Sequence, residues 1–576
     1  MSRQVLIINI TRMGDLVQTV PLLARLRHER PEVEVDLVVD VSFAPVAALL
    51  PGFRQVFAFN FHGLVDDSRA MAKDLVSLYA DVEAWVKPLR DARYDRIVNL
   101  TFNRRSGLMA SCIGAPDIRG VSVSADGSTL VRDPWMAYFT DLHHYRRLNR
   151  FNLVDLYALG GSGPGPFSPL AVTVPRKAAE WAKSFLRLAV RSISHSPALN
   201  VKPKLWIAVQ AGASEAIKAW RPEYFGRTMA ALSHRLRVGF VMIGTKQERG
   251  MVEEAIAAYR AAGGFSPLCN AVGQTTLPEL AALLAECRLL LTNDTGPMHL
   301  AVGVGTPVID LSVGHVDFRE TGPYGPGHWV IQPDIDCAPC GFDHICFHHA
   351  CKDRIDCDQV AELGLYTLHA GSFPAHATGI RLYESAVDED GLADYVLRAG
   401  RSDPLTEWYG SFWRRYWFES LTRRPSRRAP LSTPAPDYEA AGQVFSRLQP
   451  LADQLVAEAE KLAQLSRQCP LPVKSLKEAQ ARFGEARQHA VRVAASSPAF
   501  GPPTVAFLRE ASNAEDEGLP ALALAQLRAC RVWRKRLAEV ACLLGSVKKT
   551  EIGIEHVAGV DHSRPSSVPG FQPTVN

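Results

Sequence analysis

The sequence predicts an α/β protein of two doubly wound lobes followed by an all-α appendage, and three observations lead there. Short apolar runs alternate with amphipathic stretches twice over, first between Gln4 and about Gly160 and again from Leu205 to Ser312. A Gly/Pro stretch, Ser162-Gly163-Pro164-Gly165-Pro166, separates the two series. Past about Gly400 the pattern turns to helical spacing behind a Pro-rich basic segment.

Each element follows from its local pattern. Val5–Ile10, Val33–Asp40, Gln55–Asn60 and Arg96–Thr101 are apolar enough for strands buried on both faces, and Leu16–Arg30 has helical periodicity through Leu22, Leu23 and Leu26. Continuous apolar strands separated by helices imply right-handed crossovers and a parallel sheet. In the second series, strands Leu205–Gln210, Val238–Gly244, Arg288–Asn293 and Pro307–Ser312 alternate with helices near Pro222–Leu236, Glu248–Ala261 and Pro278–Glu286. Tyr438–Gln468, Pro472–Ala495 and Pro520–Leu544 read as helices. The expected layout is a first lobe over 1–160, a linker and connecting helix over 161–203, and a second lobe over 204–362 with a Cys-rich loop at 337–357. A connecting region over 363–422, a Pro-rich basic linker over 423–436, a helical appendage over 437–548 and a disordered tail over 549–576 follow.

Bulk composition narrows the function class. A chain of 576 residues is long enough for about three domains. With 47% hydrophobic and 22% charged residues it has the balance of a soluble globular protein, and a net charge of +4 calls for no nucleic-acid partner. The apolar start Val5–Ile10 is interrupted by Arg12 and Asp15, too soon for a signal-peptide core or a membrane span. A cytoplasmic protein is expected, at most peripheral at the inner membrane.

Turns after five of the strands hold the chemistry. In Thr292-Asn293-Asp294-Thr295-Gly296-Pro297-Met298-His299, an apolar strand ends, turns at Thr-Gly and enters a helix with an early Pro. Free N–H groups at such a helix start attract anions, and His299 about one turn in can reach the same oxygens; the other reading is a turn capped by Asp294 with His299 merely exposed. Asp15, after the first strand, is either a cleft carboxylate or an N-cap for the helix at Leu16. Ser214 and Lys218 lie in the loop after the Leu205 strand, Glu248 after the Val238 strand, and Arg104-Arg105 after the Arg96 strand.

NDTGPMHLAVGVGTPVIDL resembles the D-T-G-x-x-H-L-A-x-x-x-G-T-P signature of glycosyltransferase family 9, the ADP-heptose heptosyltransferases, at Asp294, Thr295, Gly296, His299, Leu300, Ala301, Gly305, Thr306 and Pro307. Thr11-Arg12-Met13-Gly14-Asp15 is similar to that family's R-x-G-D turn, and Gly212-Ala213-Ser214 through Lys218-Ala219-Trp220 to its G-A-S-x-x-x-K-x-W loop. The resemblance spans roughly Gln4 to Arg354. It implies two Rossmann-like lobes in the GT-B arrangement and metal-independent, inverting transfer of a sugar, heptose by analogy, from an ADP-sugar. The acceptor is a hydroxyl on a cell-surface glycan, lipid or protein. It further implies Asp15 as catalytic base. Ser214, Lys218, Glu248, Asp294, Thr295, Gly296 and His299 become donor-binding residues, and Arg104 and Arg105 bind acceptor phosphates. No cofactor is needed for catalysis, and a protein partner is a role for the C-terminal helices. Two other readings stand beside it: a GT-B sugar-nucleotide epimerase, and a non-catalytic scaffold acting through those helices.

Cys337, Cys340, Cys346 and Cys351 crowd into one loop with His344, His348 and His349. Their spacing suits a structural Zn or Fe centre remote from the chemistry; reduced thiols and a disulfide are the alternatives.

Overall fold

The computed structural model describes residues 3–61, 75–193, 203–342, 345–431, 435–495, 497–513 and 518–545. The tail expected to be disordered, 549–576, and His344 lie outside them.

In the first lobe β1 (Gln4–Ile8), β2 (Glu34–Asp40), β3 (Gln55–Phe59), β4 (Arg96–Asn99), β5 (Asp117–Val123) and β6 (Thr129–Arg132) form one sheet in the order β3-β2-β1-β4-β5-β6. All neighbours run parallel except β5 and β6. The second lobe holds β7 (Leu205–Gln210), β8 (Val238–Met242), β9 (Leu268–Asn270), β10 (Leu289–Asn293), β11 (Val308–Leu311), β12 (Trp329–Pro333), β13 (Ile380–Val387) and β14 (Ala393–Ala399). Their order is β14-β13-β12-β11-β10-β7-β8-β9, parallel from β9 to β12. Both sheets repeat the doubly wound order 3-2-1-4-5-6, and the second adds an antiparallel pair at its edge. Leu6, Ile7, Ile8 and Leu37 on the first sheet, and Ile207, Leu290, Leu291 and Ile309 on the second, have no exposed surface, because helices cover both faces. This is the two-lobed GT-B architecture.

Four parts of the layout differ from the sequence reading. The helix expected over Leu16–Arg30 is two helices, Met13–Val17 and Val20–Glu29. Pro21 cannot donate to residue 17 and its ring would strike that carbonyl, so the chain restarts with Pro in the first turn. The second lobe does not stop at residue 362: β13 and β14 extend its sheet to Ala399, because Ile380 and Leu382 alternate with polar neighbours and bury one face.

The segment 423–436 is not a free linker. Arg428 pairs with Asp388 and Asp394 at 3.0 Å each, and the Ser426 hydroxyl donates to Asp390 at 2.6 Å. Nor is 437–548 a single appendage. Leu508–Ala525 belongs to the same compact unit as the two lobes, where Arg509 pairs with Asp141 at 2.8 Å and the Asn513 side chain exchanges two hydrogen bonds with Val131. The other unit comprises Ser432–Phe507 and Gln526 onward. There the helices Tyr438–Leu465 and Val473–Ala494 are joined by an Arg482–Glu458 pair at 2.7 Å, and Trp533 stacks on Phe507. Among the described residues, no helix is long and apolar enough to cross a membrane.

Candidate active site

Ligands of doubly wound sheets bind beyond the carboxyl ends of the strands where the strand order reverses. That point lies between β1 and β4 in the first lobe and between β7 and β10 in the second. Asp15 follows β1, Arg104 and Arg105 follow β4, Ser214 and Lys218 follow β7, and Asp294, Thr295 and Gly296 follow β10. The sheet topology thus gathers the sequence-predicted residues, except Glu248, which follows β8 one strand further out.

Asp15 is not an N-cap. Its helix starts at Met13 with Arg12 in the cap position, so Asp15 sits in the first turn. The Thr11 hydroxyl donates to its Oδ2 at 2.9 Å, and the Asn9 amide donates to its backbone carbonyl at 2.9 Å. Burial raises its pKa above the ordinary carboxylate value, against the pull of the Thr11 hydrogen bond and the charges of Arg12 and Lys218. Lys218 belongs to the other lobe, and its charge is among those that act on this carboxylate.

On the second lobe, Thr295 is the N-cap residue of the helix Gly296–Gly303, yet its side chain caps nothing. Its hydroxyl donates to the Gln210 side chain at 3.0 Å instead. Asp294 accepts from the Thr321 hydroxyl, and burial raises its pKa while Lys218 opposes the shift. Lys218 ends a short turn, Ala216–Lys218, with a side chain 12% exposed and Glu215 4.0 Å away. Ser214 is exposed on the same loop.

Asn293 was not picked out in the sequence, although it stands beside the signature. Its Oδ1 accepts from Trp220 N at 2.8 Å and its Nδ2 donates to the Gly212 carbonyl at 3.0 Å, which ties the Lys218 loop to β10. Asn293→Ala would leave a buried N–H unpaired, at an expected cost of about 1–3 kcal/mol. A urea unfolding midpoint unchanged from the wild type would show that other contacts hold this loop.

Two assignments change. His299 is neither exposed nor charged: it is 5% exposed, burial lowers its pKa to about 4, and the imidazole is neutral at pH 7. It therefore brings no cationic charge to phosphates. Glu248 is 7% exposed and closes a capping box: its Oε2 accepts from Thr245 N at 2.6 Å and its Oε1 from Gln210 at 3.4 Å. This carboxylate is engaged in holding the ends of β7 and β8 together.

The two signature turns touch. A Cβ added to Gly14 would stand 2.7 Å from His299 Cδ2 and 3.6 Å from Gly296 Cα, and one added to Gly296 would strike Met13 Cε. Only glycine allows the first lobe's turn to approach the start of the second lobe's helix this closely. Near the same cleft Arg146 of the first lobe forms a buried pair with Glu320 of the second, 2.8 Å apart. Arg104 and Arg105 are exposed at the start of the helix Arg104–Ile113, capped by Asn103.

The cysteine loop is not remote from this site. Lys352 Nζ donates to the Ala216 carbonyl at 2.6 Å, the Trp220 indole donates to the Lys352 carbonyl at 3.0 Å, and Arg221 pairs with Asp353. Cys340 and Cys351 are buried and Cys337 and Cys346 partly so, and both buried thiols are within electrostatic reach of the other two. Burial and the neighbouring sulfurs push the Cys340 thiol up to about 11. Among the described residues, no group of three or more His, Cys, Asp or Glu side chains is arranged to hold an ion.

Residues 82–345 match the family model described as glycosyltransferase family 9 (heptosyltransferase). The chain is 25% identical over 316 residues to "Lipopolysaccharide heptosyltransferase 3" of Escherichia coli K12, covering 53% of this chain and 82% of that one. It is 24% identical over 326 residues to "Lipopolysaccharide core heptosyltransferase OpsX" of Haemophilus influenzae, covering 55% and 81%. Among solved structures, the ADP-heptose heptosyltransferase II of Escherichia coli aligns over 64% of this chain and 99% of its own, at 18% identity and a TM-score of 0.44. Over residues 82–345 the chain is thus similar to glycosyltransferase family 9, the heptosyltransferases.

Proposed function

We propose that the protein transfers a heptose from an ADP-sugar to a hydroxyl of a lipopolysaccharide-type acceptor, with inversion and without a catalytic metal. The observation that supports this most is the pairing across the cleft of a first-lobe carboxylate, Asp15, with a second-lobe anion site made by Lys218 and the free helix start at Thr295-Gly296. The diphosphate would be met by Lys218 and the backbone N–H groups of that helix, aided by its dipole. The acceptor hydroxyl would lose its proton to Asp15 as it attacks the anomeric carbon from the face opposite the leaving diphosphate. One displacement then inverts that carbon and forms no glycosyl-enzyme intermediate. Heptose and the acceptor class come from the names of the relatives.

Purified protein offered a panel of nucleotide sugars, with and without cell-envelope extract, should release ADP from ADP-heptose only when acceptor is present. A new sugar-nucleotide epimer without nucleotide release would mean an epimerase instead. ADP should bind in the presence of chelator, and Lys218→Ala should weaken it by about 1.5–3 kcal/mol, the scale of a charge-assisted hydrogen bond. Calorimetry reads both, and a strict magnesium requirement would overturn the metal-free reading.

A further inference from the structure

Five aromatic rings run in contact from the first lobe to the second, and none of them is fully buried. The strip starts at Phe102, in the turn after β4 and two residues before Arg104. Phe102 packs on Phe139 of the helix Pro134–Asp141, ring centroids 4.3 Å apart, and Phe139 meets His143 at 6.1 Å. His143 meets Phe342 of the cysteine loop at 5.5 Å, which carries the strip onto the second lobe. Phe342 meets His315, in the turn after β11, at 5.4 Å.

The far end of the strip stands beside both signature turns. His315 is within electrostatic reach of Lys218 and of Arg12, the residue that opens the Asp15 turn. Burial lowers its pKa, Lys218, Arg146 and Arg12 add to that effect, and Glu215 opposes it. Burial, then Arg146, lowers the pKa of His143 as well. Both imidazoles are therefore mostly neutral at pH 7, each with one donor and one acceptor nitrogen.

Phe342 is the ring that the fold leaves open. The Arg146 guanidinium lies 4.1 Å from its centroid, against one face. Glu320 holds that arginine at 2.8 Å, and its Nη1 donates to the Cys340 carbonyl at 3.3 Å, so the support is rigid. Yet Phe342 is 54% exposed, and its other face is uncovered. A pyranose complements such a surface. One side of the sugar is a patch of C–H groups, which the negative face of an aromatic ring attracts. Its rim hydroxyls need hydrogen-bonding groups, which His143 and His315 supply on either side of Phe342.

We propose that Phe342 is the platform on which a sugar ring of the acceptor stacks, and that it selects saccharide acceptors. This rests on the reading of the cleft as a site of sugar transfer. The acceptor fits better than the donor, because the donor diphosphate is assigned to Lys218 and the helix start at Gly296. From His315 the strip instead runs back to Phe102, beside Arg104 and Arg105 on the first lobe.

Calorimetry on the full chain with ADP present, using a deacylated lipopolysaccharide core oligosaccharide as probe, tests the platform. Phe342→Ala and Phe342→Leu should each weaken the oligosaccharide by about tenfold, the scale of one aromatic contact. Phe342→Trp keeps a flat face and should hold it. Because the position is half exposed, all three variants should melt as the wild type does and bind ADP unchanged. Leucine serving as well as phenylalanine would reduce the ring to an apolar filler and overturn the platform. Weaker ADP binding in Phe342→Ala would hand the ring to the donor, and a wild type that does not bind the oligosaccharide would also overturn the proposal. ADP release from ADP-heptose with cell-envelope extract is read separately, so the transferase reading can stand where this one falls.

Discussion

Asp15→Asn is expected to cut turnover by about 10²–10⁴-fold, the usual contribution of a general base. The amide keeps the shape and can still accept from the Thr11 hydroxyl, but it cannot take a proton from the acceptor. Folding should not suffer. Burial raises the Asp15 pKa, so ionising this group costs the folded state stability at pH above its unfolded value, and that cost grows as pH rises toward the raised pKa. Asparagine removes the cost, and the melting temperature at pH 7 should hold or rise. Wild-type turnover should climb with pH through a value above the ordinary carboxylate range, since the base must be ionised, and this limb should vanish in Asp15→Asn. A pH–rate profile, a melting curve and the anomeric configuration of the product read these outcomes. Near-wild-type turnover in the variant, or a retained configuration, would remove Asp15 from the base role.

The central strands and the three signature turns were legible because their causes are local. Val5–Ile8, Leu289–Asn293 and their neighbours are buried on both faces, so their apolar runs announce strands, and the turn residues follow them directly. The strands β5, β6, β13 and β14 were not seen because their pattern is weaker. β5 and β6 form a hairpin around Asp126-Gly127, a turn signal that went unused, and β13 and β14 alternate apolar with charged residues. What the sequence cannot carry is the meeting of side chains far apart in the chain. The charge state of His299 depends on Gly14 and Gln18, more than 280 positions away, closing over it. The engagement of Glu248 depends on Gln210 at the end of β7. Arg428 reads as part of a basic linker until the turn between β13 and β14 brings Asp388 to it. The packing of Leu508–Ala525 with the lobes is of the same kind.

Gly14→Ala should lower turnover by about 10²-fold through geometry alone. The added methyl would lie 2.7 Å from His299 Cδ2, well inside van der Waals contact, and His299 is buried and cannot swing aside. The two turns must then separate by something under an ångström, at a cost of about 1–3 kcal/mol for overpacking. Asp15 is the next residue, so the separation moves the carboxylate relative to Lys218 and the helix start at Gly296. A misplacement near 1 Å between reacting groups costs about 10²-fold in rate. Two companions separate this cause from general damage. Gly296→Ala would meet the tip of the flexible Met13 side chain, which can move, so its turnover should stay within a few-fold of wild type. Adding His299→Ala to Gly14→Ala removes the obstructing ring and should recover at least tenfold of the lost rate, although His299→Ala alone leaves a cavity and gains nothing. Steady-state rates for the four proteins, with ADP affinity measured in parallel, decide the matter. Full turnover in Gly14→Ala, or no recovery in the double variant, would mean that the close approach of the two turns is not the arrangement in which the sugar is transferred.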